Sequence, residues 1–328
     1  MALTAPPRSA GAGVFFSETG NDAMNNLPNG GSEPARRRGA GLADQIPKIV
    51  IAPSFAAVLL FVYGFIAWTA WVSFTRSKLM PNYDLAGAIQ YQRLFDSPRW
   101  ETALSNLAVF GILFIVVSMV LGLMLAIFLD QQIRTEGALR TIYLYPMALS
   151  MIVTGTAWKW ILNPGLGVEA MVRGWGFETF TFDWLINPDR AIYAIVLAAI
   201  WQASGFIMAL FLAGLRSVDG EIIKAAQVDG IPNWRIYSAI IIPSMAPIFM
   251  SAFIVLAHLA IKSFDLVIAL TGGGPGYATD LPATYMYAMA FTRGDIGQAA
   301  ASAMVMMMIV FTIVVPYLYS DLRGGRNG

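Results

Sequence analysis

The sequence predicts an all-α polytopic membrane protein with six crossings, and three observations lead there. Of the 328 residues, 57% are hydrophobic and 12% charged, and the mean hydropathy is +0.62. That is well below the charged share of about a quarter in soluble domains. The apolar residues are gathered into long blocks rather than amphipathic stripes. Several blocks reach the roughly 20 residues that a helix needs to cross a hydrocarbon core.

Residues 1–45 come first, rich in Gly, Pro, Ala, Asn and Ser, with Arg36, Arg37 and Arg38 together. Without a continuous apolar core they are read as a disordered cytoplasmic tail, not a cleaved signal peptide. The six apolar stretches fall at about 49–74, 104–129, 141–162, 191–215, 239–270 and 297–319, giving a transmembrane domain over 46–323 and a short tail at 324–328. The fifth is overlong, so it is read as tilted or as beginning in an amphipathic turn. Lys and Arg retained on the cytoplasmic side orient the chain. Arg36–Arg38, Lys48, Arg134, Arg140, Arg216, Lys224, Arg235, Arg323 and Arg326 against Arg76, Lys78, Arg93, Arg99, Lys159, Arg173, Arg190 and Arg293 give a modest bias that favours both termini inside. The loops 76–103 and 163–190 then lie outside. They carry Trp100, Trp175 and Trp184 among acids and prolines, which suits short folded segments. The stretch 271–282, TGGGPGYATDLP, is read as a tight turn, because no Lys-Ser/Thr follows to complete a phosphate cradle.

Several function classes drop out. A net charge of +1 provides no basic surface for nucleic acid. With no Cys and a single His, neither disulfides nor a thiolate or His-rich metal site can form. No GxxxxGK[ST] occurs, so ATP hydrolysis is not expected on this chain. The lack of HExxH and GxSxG argues against an intramembrane hydrolase.

Two features stand out from the apolar background. The first is a polar hairpin at 216–238. Asp219 and Glu221 place acid at a helix start, Ile222, Ile223, Ala225, Ala226 and Val228 give that helix an apolar side, Gly230 suits a left-handed end, and Pro232 starts a second helix. The second is a set of ionisable groups inside the fifth stretch, His258, Lys262 and Asp265. Each costs about 2.5–3.5 kcal/mol at a helix centre on insertion scales, so such groups are usually paired or functional. The favoured reading is a buried Lys262–Asp265 pair bracing the bundle. The alternative is a proton or ion relay, as in a proton-coupled secondary transporter.

The hairpin carries a resemblance. KAAQVDG, from Lys224 through Ala225, Ala226 and Asp229 to Gly230, is followed at the right distance by Ile240, Ile242 and Pro243. It resembles the EAA loop of ABC-importer permeases. Lys224 stands where the family usually has Glu, with Glu221 one turn earlier. SFDLVIALTGGGPG (263–276), NPGLG (163–167) and the run 129–160 resemble sugar-importing permeases of the maltose-related class, most similar to the bacterial glucose/mannose type. The resemblance covers about 45–323 and implies the ABC type I importer permease fold in a bacterial inner membrane. It implies a second permease, an ABC ATPase dimer seated on the loop, a periplasmic sugar-binding protein and a sugar substrate. ATP and Mg would bind the ATPase; this chain would bind no cofactor. Carried over by the same anchors, the sugar-facing positions are Ala199, Gln202, Ala203 and Phe206, and Leu256, Leu259, Ala260 and Ser263. Each set has one-face helical spacing. The charged stripe lies roughly opposite, on another face.

Overall fold

The structure, a computed structural model, describes residues 46–80, 82–131 and 134–324. The tail predicted at 1–45 and residues 325–328 of the tail predicted at 324–328 lie outside the described residues, while Gly324 is the last residue of the final helix. The chain divides into two compact units, residues 1–59 and 60–328. In the first unit the described chain is a helix, α1 (Ile46–Val58), with Pro53 inside it. Its Val50, Ile51 and Phe55 are exposed.

The second unit holds α2 (Gly64–Ser73), α3 (Ile89–Phe95), α4 (Pro98–Asp130), α5 (Glu136–Leu144), α6 (Met151–Ile161), α7 (Val168–Gly174) and α8 (Ala191–Leu215). It continues with α9 (Gly220–Val228), α10 (Asn233–Ile236), α11 (Ile242–Ser244), α12 (Ala246–Ile261), α13 (Asp265–Leu270), α14 (Pro282–Tyr287) and α15 (Ile296–Gly324). The described residues form no named strand, only an isolated bridge between Thr75 and Leu85.

Among the described residues, four helices are long and apolar enough to cross a membrane: Val50–Ser73, Pro98–Asp130, Ala191–Leu215 and Ile296–Tyr317. A fifth crossing counts if Asn233–Ser244 and Ala246–Ile261, bent by 68°, act as one. Pro243 and Pro247 flank the bend at Met245, and each removes a backbone donor from the helical ladder. Beyond it, α12 ends at Ile261 and α13 restarts at Asp265, so the stretch read as 239–270 is three helical pieces.

The third predicted crossing, 141–162, is likewise broken. Pro146 opens a 3₁₀ turn at Tyr145–Ala148, Leu149 is extended, and Ser150 caps α6 by accepting from the Val153 N–H at 3.3 Å. The 11 residues of α6 span about 16 Å, too short for a crossing.

The core is built on α8, which is apolar on all sides and packs most extensively against α4. The buried side of α4 mixes large and small residues, Phe110, Gly111, Phe114, Ser118, Gly122 and Ala126, and Gly122 is the point where Ile207 of α8 comes against it. The broken segment passes against α8 at Gly205: an added Cβ there would sit 1.8 Å from the Tyr143 carbonyl oxygen. Only a residue without a side chain admits that approach.

The loop 163–190 and the 271–282 turn are both folded. In 163–190, buried Glu169 accepts from the Phe182 N–H at 3.0 Å and pairs with Arg173 at 2.7 Å, while Phe182 stacks on Trp184. The 271–282 turn is held by Thr271–Thr279 and Thr279–Gly274 hydrogen bonds. Asn106 donates to the Ala278 and Asp280 carbonyls, and Arg99 pairs with buried Asp280.

Candidate functional site

The hairpin forms as a helix, a turn and a short second helix. The Asp219 carboxylate accepts from the Glu221 N–H at 2.9 Å, satisfying one of the free donors at the start of α9. Asp229 is the C-cap, and Gly230 follows at φ +74°, with its N–H donated to the Gln227 carbonyl. Pro232 is the N-cap of α10, one position earlier than the first helical place expected for it. Lys224 and Glu221 pair at 3.0 Å on the exposed surface, so the substituted Lys is answered within its own helix. Ile240 lies in a π-helical turn, Tyr237–Ile241, and Ile242 and Pro243 form the short α11 before the bend.

One residue departs from expectation. Ala226, on the apolar side of the loop where the resemblance seats the ATPase, is 5% exposed and belongs to this chain's own core. Its carbonyl accepts the Ile231 N–H, which folds the turn back on α9. Val228, 87% exposed, and Trp234, 71% exposed, provide the outward apolar surface instead, alongside exposed Ala225. The periodicity of a short amphipathic helix identifies its apolar side but not which of two neighbours that side meets.

Polar contacts tie both ends of the hairpin to the α4–α5 corner. At its start, the Arg216 guanidinium reaches Glu136 at 2.7 Å and Asp130 at 3.8 Å. At its end, Gln131 donates to the Tyr237 hydroxyl at 3.2 Å. The sequence held all five residues in view without indicating that they meet, because 80 or more positions separate the partners.

The helices flanking the hairpin, α8 and α12, line a cavity of about 440 Å³ together with α4 and the broken segment. Ala199, Gln202, Ala203, Phe206, Leu259 and Ser263 all face it. Leu256 and Ala260 do not; both are buried, and Ala260 is turned toward Gly111 of α4. Gln202 is 5% exposed. Its Nε2 donates to the Leu149 carbonyl at 2.9 Å, and its Oε1 is buried with no protein partner. The half-buried Ser263 hydroxyl also makes no hydrogen bond within the described chain. Phe110 and Phe114, stacked at 5.4 Å, and Met147, Leu149 and Ser150 also form part of the wall. These five were missed. Pro146 was the signal, since a proline in mid-crossing frees backbone that is tolerated only where protein or a cavity meets it. The site therefore offers apolar and aromatic faces with two open polar groups.

His258, Lys262 and Asp265 sit elsewhere. They line a second cavity of about 430 Å³, which shares no residue with the first. The expected Lys262–Asp265 pair is not formed; all three residues are exposed and none makes an ion pair or side-chain hydrogen bond within the described chain. The helix breaks between them. Lys262 caps the C-terminal, negative end of α12, and Asp265 stands in the positive first turn of α13, so each charge meets a favourable dipole. No cluster of potential metal ligands occurs among the described residues.

Relatives share this architecture. A probable ABC transporter permease protein of Pyrococcus horikoshii is 37% identical over 283 residues, covering 85% of this chain and 97% of the relative. The xylose/arabinose import permease protein of Haloferax volcanii is 36% identical over 275 residues, 83% of this chain and 86% of its own. A solved bacterial ABC transporter that imports the acidic polysaccharide alginate contains a chain superposing with a TM-score of 0.76 at 20% identity, over 86% of this chain and 96% of that one. That likeness establishes the ABC type I importer permease fold. Residues 118–322 match the family described as the binding-protein-dependent transport system inner membrane component, and the chain belongs to that family of multi-pass transport permeases, which are not themselves enzymes.

Proposed function

We propose that this chain forms half of the translocation path of an ATP-driven, binding-protein-dependent sugar importer, with a second homologous permease forming the other half. One observation carries the reading. The two helices lining the cavity with the open Gln202 acceptor, α8 and α12, are the two that the cytoplasmic hairpin joins. A ligand held between them and a force applied to the hairpin therefore act on the same helices.

The cavity chemistry suits a sugar. A hydroxyl can donate to Gln202 Oε1, another can pair with Ser263, and Phe206 and Phe110 offer faces to C–H surfaces. So few polar groups favour a monosaccharide of the glucose/mannose kind over a longer, more hydroxylated chain. Relatives named for xylose/arabinose, trehalose/maltose and glucose import support sugar as the class.

On this reading both termini are cytoplasmic, and an ABC ATPase dimer, which binds ATP and Mg, grips the KAAQVDG hairpin through Ala225, Val228 and Trp234. Closure of the ATPases moves the hairpin. Arg216 and Tyr237 pass that movement to the α4–α5 corner, and α5 leads into the broken segment at the cavity wall. The permease is then a two-state bundle whose equilibrium is biased by ATP at one end and the loaded periplasmic binding protein at the other. A proton-coupled carrier would need its titratable groups joined to the substrate site, whereas His258, Lys262 and Asp265 line a separate cavity.

The test is uptake of radiolabelled glucose in a strain lacking the gene and in its complemented counterpart, with a panel of unlabelled sugars in competition. Uptake that returns with the gene and fails when ATP is depleted supports the reading. Uptake abolished by a protonophore with ATP held constant overturns it.

A further inference from the structure

We propose that the groove lined by His258, Lys262 and Asp265 seats a transmembrane helix of the second permease, one that presents a carboxylate to Lys262 and a hydrogen-bond donor to Asp265.

Depth is the first ground. The α15 wall of the groove that Lys262 lines is made of Met306, Met307 and Val310. Met306 lies about 15 Å along the helix from its start at Ile296, at 1.5 Å per residue. That is close to the middle of the crossing Ile296–Tyr317, too deep for a lipid headgroup to reach readily. Exposed charges at that depth are costly against hydrocarbon, and in membrane proteins they face a bundle interior, a water-filled cavity or each other. Here they do not pair with each other, and no ion pair among the described residues involves them.

Charge pattern and composition supply the second ground. A cation and an anion lie three residues apart on one wall, with no counter-charge among the residues opposite. That pattern is complementary to a surface of opposite charges, and it does not suit acyl chains. The rest of the lining is aromatic and Met-rich, including Phe264, Tyr287 and Met286, the composition enriched at the buried centres of protein interfaces. Phe264, Tyr287 and the 75% exposed Phe291 continue outward as an aromatic row with ring centroids 4.8 and 4.9 Å apart. Such a row presents a rigid apolar face along which a helix can lie.

The inference rests on the importer reading for the identity of the occupant. The experiment separates the two. Benzoylphenylalanine is placed at Met307 in the assembled transporter, co-expressed with the second permease and purified from membranes, and the photo-adduct is sequenced. An adduct to a membrane-spanning segment of the second permease, with Asp or Glu within one helical turn of the attachment point, is the expected result. Adducts to lipid alone, to the ATPase or to a second copy of this chain overturn the assignment. As a charge test, Lys262→Glu at equal membrane abundance should co-purify at least about tenfold less second permease than Lys262→Arg. Equal recovery also overturns it. The Met307 adduct is read with native charges, so it decides the matter even if Lys262→Glu fails to accumulate. Sugar uptake by the same cells is measured in parallel. Lost uptake with the adduct intact defeats the importer reading alone, and normal uptake with only lipid adducts defeats the groove assignment alone.

Discussion

Gln202 condenses the chemistry of the cavity into one side chain, with its amide nitrogen held by the Leu149 carbonyl and its oxygen left open. A buried acceptor without a partner is destabilising by about 1–3 kcal/mol until something donates to it. Gln202→Leu should therefore raise the half-saturation concentration for sugar about tenfold, the equivalent of one lost hydrogen bond of about 1.4 kcal/mol, with membrane abundance as the control. An unchanged half-saturation value would remove Gln202 from the path. Gly205 offers the matching packing test. Gly205→Ala forces a methyl group against the Tyr143 carbonyl oxygen, and overpacking of that kind costs about 1–3 kcal/mol. The melting temperature of the purified protein should fall, and an unaltered one would show that the broken segment can yield. Gln202 was legible from its place on a helical face; its open oxygen was not, because that depends on where the remote Leu149 carbonyl points.

At the scale of the element, the hairpin separates what a motif reveals from what it hides. Gly230 was expected at positive φ and stands at +74°. Ala226 was expected at a partner and is packed inside this chain. The consequence is a pair of opposed outcomes. Ala226→Asp buries a charge and should lower protein abundance. Val228→Asp, on the exposed side, should leave abundance intact while the ATPase of the reconstituted transporter loses its response to loaded binding protein. Stimulated hydrolysis that survives Val228→Asp would place the docking surface elsewhere. The Arg216 clamp yields a subtler prediction. Arg216→Met releases Glu136 and Asp130, so hydrolysis should continue with less sugar moved per ATP, consistent with a coupling energy of about 1–3 kcal/mol. An unchanged ratio of sugar to ATP would show that the clamp transmits nothing. The broken third crossing was missed for a related reason. Its composition is apolar throughout, and hydropathy averaged over a window does not register that Pro146 interrupts the ladder.

For the whole molecule, orientation is the quantity to measure. The chain has no native Cys, so single cysteines report without background. An impermeant thiol reagent added outside should label Cys at Asn82 and Glu178 strongly and at Asn233 and Ala138 weakly; the reverse pattern would move the hairpin away from any cytoplasmic ATPase. By itself the sequence determined that the chain is helical and membrane-bound, where its long crossings lie, and that a polar hairpin turning at Gly230 interrupts them. Those properties follow from local composition and periodicity, since the bilayer demands long apolar helices and a backbone satisfied within each one. Only the tertiary structure decided which faces of those helices meet. It set Ala226 inward and Val228 outward, joined Arg216 to Glu136, and turned Leu256 and Ala260 away from the cavity that Gln202 enters. It also left Lys262 and Asp265 unpaired across a helix break. Each of these depends on contacts between residues distant in the chain, and in a sequence that is apolar on nearly every face periodicity cannot rank one face above another.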